Sequence, residues 1–162
     1  MTSDGLAITN YHVVSQVALE PKTYRLEDTA ADGSHGDVTV LGLNLPNDLA
    51  IIRLDKHDAP FFTFDERALA GDLLKGEPSI RWAIPLDLGF TITKAPITVL
   101  WSTATANAST SPGALNYGVS GGPAEGRVVG INVATRRGGQ LISFLVLVRF
   151  AAAVAPISFA TC

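Results

Sequence analysis

Short β-type runs, each cut off by Gly, Pro, Asn or Asp, follow one another along almost the whole of this sequence and leave room for few architectures. The runs fall at 6–9, 23–27, 38–43, 49–54, 79–83, 90–93, 97–101, 127–134 and 141–148, and several alternate in polarity, as in Phe90-Thr91-Ile92-Thr93. Alternation with period two sends successive side chains to opposite faces of a sheet, so many such runs with turn residues between them predict a sandwich or barrel. Only two stretches read as helical, a short one over 66–74 and a terminal one after Arg149. Lys56-His57-Asp58-Ala59-Pro60 breaks the pattern with charge and a proline and marks the natural division of the chain.

Packing alone must hold such a fold, because the single cysteine, Cys162, allows neither an intrachain disulfide nor a Cys-rich zinc site. The material is sufficient. Apolar residues make up 47% of the chain and charged ones 17%, against about 25% charged in ordinary soluble domains, which excludes global disorder. The 162 residues suit one domain or two small barrels sharing an interface. Twelve Lys+Arg against 15 Asp+Glu give a net charge of −3, the wrong balance for a nucleic-acid binder. The most apolar stretch, 141–160, is interrupted by Arg149 and Pro156 and falls short of the ~18 unbroken residues a membrane span needs. No charged and then apolar leader opens the sequence, so the chain is expected to be soluble, with any export signal outside these residues.

Chemistry is concentrated at Gly118-Val119-Ser120-Gly121-Gly122-Pro123. Glycines around a serine let the backbone turn sharply so that neighbouring N–H groups converge on one point, which is how an oxyanion hole is made. The same letters satisfy the G-x-S-x-G elbow of α/β-hydrolases, but that fold needs an acid and a histidine after the serine. From Gly121 to the end there is no Asp and no His, only Glu125, so a base for Ser120 must lie upstream.

Of the three histidines, His35 lies in a polar turn and His57 in the charged linker, and both read as solvated surface residues. His12 ends the largely apolar run Leu6-Ala7-Ile8-Thr9-Asn10-Tyr11 and precedes Val13-Val14, a context that predicts partial burial and a polar partner. A structural histidine would fit the same letters. The partner that fixes an imidazole tautomer is a carboxylate, and Asp48, directly before the apolar Leu49-Ala50-Ile51-Ile52, is expected at the mouth of a buried strand, although Pro46-Asn47 before it also suits a plain turn. The order His12, Asp48, Ser120 is the chymotrypsin-type one.

Three blocks carry a family resemblance: Gly5-Leu6-Ala7-Ile8-Thr9-Asn10-Tyr11-His12-Val13-Val14, Asn47-Asp48-Leu49-Ala50-Ile51-Ile52-Arg53-Leu54, and the Ser120 segment, with the three residues spaced by 36 and 72 positions. They resemble the catalytic blocks of trypsin-like serine proteases, and within these the HtrA/DegP-like branch. Gly126-Arg127-Val128-Val129-Gly130-Ile131-Asn132 and Ile142-Ser143-Phe144-Leu145-Val146 resemble later strands of that branch, whereas 56–111 matches only through Gly71-Asp72 and Pro85-Leu86.

The resemblance implies an all-β fold of two antiparallel six-stranded β-barrels, residues 1–56 forming the first and 57–162 the second with a C-terminal helix. Relatives have a strand before the His12 block, so the first barrel is expected to lack its N-terminal strand. It further implies a serine endopeptidase with Ser120 as nucleophile, His12 as general base and acid, and Asp48 as the orienting carboxylate. Gly118 and Ser120 would supply the oxyanion-hole N–H groups, and Ala114 the floor of the primary specificity pocket. Val133, Ala134, Thr135 and Ile142 would line the substrate, with an extended polypeptide pairing along 133–135 as an added strand. No metal or cofactor is implied, no PDZ module is expected to follow, the oligomeric state is left open, and an extracytoplasmic location is suggested. Two other readings suit the same residues: a non-catalytic, protease-like module that binds peptides, and an esterase using the same three residues.

Overall fold

The computed structural model describes residues 2–30, 32–58, 60–72, 76–83, 91–97, 99–102, 107–112, 128–135 and 142–150. Strands dominate among them. The first half is a four-stranded antiparallel sheet in the order β1-β4-β3-β2, built from β1 (Leu6–Thr9), β2 (Glu27–Thr29), β3 (His35–Asn44) and β4 (Leu49–Leu54), with helix α1 (Tyr11–Leu19) between β1 and β2. After the short helix α2 (Glu66–Ala70), β5 (Pro78–Ala83) and β6 (Thr91–Pro96) pair with each other. The second half is again a four-stranded antiparallel sheet, β7-β8-β10-β9, from β7 (Val99–Ser102), β8 (Asn107–Pro112), β9 (Gly130–Thr135) and β10 (Ile142–Leu147).

The strands predicted at 6–9 and 49–54 form with those bounds. Others shift for identifiable reasons. The chain at 23–24 is held in a turn after α1, where the Thr23 and Tyr24 N–H groups both donate to the Glu20 carbonyl, so β2 begins only at Glu27. β8 has the composition Asn-Ala-Ser-Thr-Ser-Pro, without the β-branched and aromatic enrichment that marks a strand, and forms because β7 and β10 hydrogen-bond it from both sides.

Helix α1 corrects the reading of two helices only. Val13, Val14 and Val17 are poor helix formers, but the helical spacing brings fully buried Val14 and half-buried Tyr11, Val17 and Ala18 inward while His12, Gln16 and Leu19 face solvent. Packing, not propensity, makes this helix. α2 was legible. The Asp65 carboxylate caps it by accepting from the Arg67 and Ala68 N–H groups at 2.9 and 3.0 Å, and Gly71 ends it at φ 90°, a left-handed conformation suited to glycine. Residues 148–150 are helical, and the rest of the helix expected after Arg149 lies outside the described residues.

The main core is assembled from the second half, with Ile97, Val128, Val129, Ile131 and Leu145 through Val148, and it takes in Leu49 of β4 and the partly buried Ile8 of β1. Leu49 is fully buried, worth about 1.5–3 kcal/mol in transfer terms. This one side chain therefore pins the start of β4, and with it Asp48, to the packing of the other half. Hydrogen bonds from Val128 N–H to the Thr63 carbonyl (2.7 Å) and from Asp65 N–H to the Val128 carbonyl (3.0 Å) tie the connecting segment to the same core.

Candidate active site

Two neighbouring chain reversals build the site. At the first, β1 ends at Thr9, Asn10 remains extended (φ −85°, ψ 148°), and α1 begins at Tyr11. At the second, β3 ends at Asn44, whose side-chain oxygen accepts from the Asn47 backbone and side-chain N–H groups, both at 3.1 Å. This caps a single 3-10 turn, Leu45–Asn47, with Pro46 in its first positions. Asp48 then closes the turn in the left-handed region, φ 51° and ψ 44°, and β4 follows.

The antiparallel register of β1 and β4 pairs Thr9 with Ala50. Continued past the strand ends, it brings Tyr11 and His12 against Asp48, and the Tyr11 N–H donates to the Asp48 carbonyl at 3.1 Å. The Asp48 carboxylate is engaged at both oxygens. Oδ1 accepts from the His12 backbone N–H at 2.9 Å, and Oδ2 lies 2.7 Å from His12 Nδ1. An ionised carboxylate only accepts, so the contact places the ring proton on Nδ1 and leaves Nε2 with its lone pair directed elsewhere. The amide that Oδ1 accepts belongs to the first turn of α1, where unpaired N–H groups and the helix dipole favour a negative charge.

The His12 side chain is 47% exposed and that of Asp48 29%. His12 is thus more open than its apolar neighbours led us to expect: the hydrophobic stripe of α1 belongs to Val14, and His12 lies on the solvent side. His35 and His57 are exposed, as read from their polar contexts.

Ala114, Gly118 and Ser120 lie outside the described residues. Val133, Ala134 and Thr135 belong to β9, which stands at one end of its sheet among the described residues, and Ile142 opens β10. Ala134 pairs with Phe144 and Thr135 with Ser143, and a bulge separates these pairs from the Asn132–Leu145 pair. No group of three or more His, Cys, Asp or Glu among the described residues could hold a metal ion.

Two residues that sequence reasoning passed over are fully buried asparagines, Asn10 and Asn132. Asn10 donates from Nδ2 to the Asp48 carbonyl at 3.0 Å. Its position before a helical stretch is the available signal, since Asn is a preferred N-cap residue, but α1 itself was not read as a helix. Asn132 has no hydrogen-bond partner for its carboxamide among the described residues.

The family model described as "Trypsin-like peptidase domain" matches residues 1–131, so the chain belongs to that family. Among curated relatives, "Serine protease HTRA3" of Homo sapiens is 30% identical over 162 residues, covering 90% of this chain and 34% of that protein. "Probable periplasmic serine endoprotease DegP-like" of Chlamydia pneumoniae is 31% identical over 143 residues, 83% of this chain and 27% of that one. The chain therefore spans well under half the length of the curated relatives it matches. Among solved structures, "HtrA-type protease AlgW with decapeptide" has a TM-score of 0.79 at 23% identity, covering 93% of this chain and 47% of that chain. The serine endoprotease from Yersinia pestis has a TM-score of 0.78 at 21% identity, covering 94% and 53%. At these identities the structures establish the fold, which is all-β and chymotrypsin-like.

Proposed function

We propose that this chain is a serine endopeptidase domain that cleaves polypeptides through an acyl-enzyme. The observation that carries the reading is the 2.7 Å contact between His12 Nδ1 and Asp48 Oδ2, made by residues 36 positions apart in the same order as the family's catalytic blocks. In this reading residues 1–56 form one barrel and 57–162 the other, with Ser120 approaching His12 Nε2 from the second.

The chemistry then follows from that reading. Ser120 Oγ attacks the scissile carbonyl carbon as its proton passes to His12 Nε2, and the carbonyl oxygen takes the negative charge. The N–H groups of Gly118 and Ser120 receive that charge. Collapse breaks the C–N bond, and the imidazolium returns the proton to the departing amine. Water, deprotonated by the same nitrogen, then hydrolyses the ester. Asp48 holds the ring in the required tautomer and stabilises the imidazolium through Oδ2. The names of the relatives favour a site of action outside the cytoplasm.

A serine-directed fluorophosphonate probe tests this directly. Stoichiometric labelling at Ser120, abolished by prior heat unfolding, is expected. A folded chain that stays unlabelled is a protease-like scaffold instead, and one that is labelled and cleaves esters but no peptide bond is an esterase.

Specificity at the residue before the cleaved bond is proposed to be aliphatic. Neither 109–117 nor 133–144 contains an Asp or Glu, so a Lys or Arg side chain entering a pocket built from Ala114, Val133, Ala134, Thr135 and Ile142 would lose its hydration without a partner. An aliphatic side chain gains about 1.5–3 kcal/mol there. A peptide library varied at that residue should yield Val, Ile, Ala or Leu, and selection of Lys or Arg would remove Ala114 as the pocket floor.

A further inference from the structure

We propose that Asn10 is a positioning residue that holds the His12–Asp48 pair in register, an inference that rests on the catalytic reading above. Asn10 occupies the N-cap position of α1, where an Asn side chain ordinarily accepts from a backbone N–H of the first turn. Here it makes no such bond. Its fully buried carboxamide instead donates through Nδ2 to the Asp48 carbonyl at 3.0 Å, and the first-turn N–H of His12 is accepted by Asp48 Oδ1 from the other side of the reversal. The usual capping role has been exchanged between two residues 38 positions apart.

The exchange has a geometric consequence. Asp48 stands at φ 51°, a conformation disfavoured for residues with a Cβ and kept only where the surroundings over-determine it. Asn10 Nδ2 and Tyr11 N–H both grip the Asp48 carbonyl, which sets the orientation of the peptide plane following Asp48, and the 3-10 turn fixes the plane before it through the bond from Asp48 N–H to the Leu45 carbonyl at 3.1 Å. With both planes held, the carboxylate reaches the His12 amide and ring together. Without the carboxamide, the Asp48 carbonyl keeps one of the two hydrogen bonds that hold it among the described residues, and the carboxylate is freer to swing relative to Nδ1.

Packing and positioning can be separated at this residue. In Asn10→Ala the Asp48 carbonyl keeps the Tyr11 N–H, so no acceptor is stranded, and the Asn10 Oδ1, which has no partner among the described residues, disappears with the side chain. Asn10→Asp keeps the volume and removes the donor. The experiment measures, for wild type and both variants, the thermal unfolding midpoint, kcat and KM on a peptide substrate, and the NMR resonance of the His12 Nδ1 proton. Expected in every variant that folds is a midpoint within a few degrees of wild type, an Nδ1 proton signal lost or shifted upfield, and kcat reduced by about 10²-fold, the scale of an ångström misplacement, with KM nearly unchanged. An unaltered Nδ1 signal in a folded variant overturns the proposal, as does failure of both variants to fold, which would make Asn10 a structural residue. If the wild type shows no turnover, the catalytic reading fails, and the Nδ1 resonance still decides the role of Asn10.

Discussion

Replacing Ser120 with alanine is expected to lower kcat by at least about 10³-fold and by as much as about 10⁶-fold, while peptide binding persists. The methyl group cannot attack the carbonyl, so what remains is stabilisation of the oxyanion and orientation of substrate, together worth roughly 10³–10⁴ over water. His12→Ala removes the acceptor for the same proton and is expected to cost a similar factor. In the proposed mechanism the two residues act in one step, so the double variant should be no slower than the worse single variant by more than a few-fold. Steady-state kinetics on a peptide substrate, with binding followed separately, measures all three. Full turnover in Ser120→Ala would remove the nucleophile assignment, and unchanged turnover in His12→Ala would remove the base.

Asp48→Asn is expected to reduce kcat by about 10⁴-fold without unfolding the chain. Asn tolerates the left-handed conformation that Asp48 adopts at φ 51°, and its carboxamide oxygen can still accept from the His12 backbone N–H, now 2.9 Å from Oδ1. That leaves the NH₂ group facing His12 Nδ1, where Oδ2 stands at 2.7 Å. A donor there requires Nδ1 to accept, which moves the ring proton to Nε2, and a protonated Nε2 cannot take the proton of Ser120. Circular dichroism and the unfolding midpoint report the fold, and kcat reports the tautomer. A folded Asp48→Asn protein with turnover near wild type would show that His12 is oriented by another group.

The strands at 6–9 and 49–54 were legible because their neighbours agreed with them: β-branched and apolar residues filled them, and Gly5 and Asp48 bounded them. β8 was not, since Asn107-Ala108-Ser109-Thr110-Ser111-Pro112 has no strand signature and takes its conformation from pairing with β7 and β10. α1 was missed for another reason: Val13, Val14 and Val17 are poor helix formers, and the buried site that receives Val14 makes the helix worthwhile. The miss bears on His12, whose expected partial burial rested on its apolar neighbours, whereas the helix puts both His12 and Val13 on the solvent side.

The sequence alone determined the residue types and their order: a histidine, a carboxylate and a glycine-flanked serine, with no later acid and histidine pair to serve an α/β-hydrolase. It determined them because side-chain chemistry and chain order are properties of the string itself. Tertiary structure decided how His12 and Asp48 meet. The β1–β4 register, the left-handed turn at Asp48 and the buried grip of Asn10 on its carbonyl depend on residues about 36 positions apart being folded against each other. No local propensity encodes that proximity; it arises only when Leu49 enters the shared core and fixes where β4 begins.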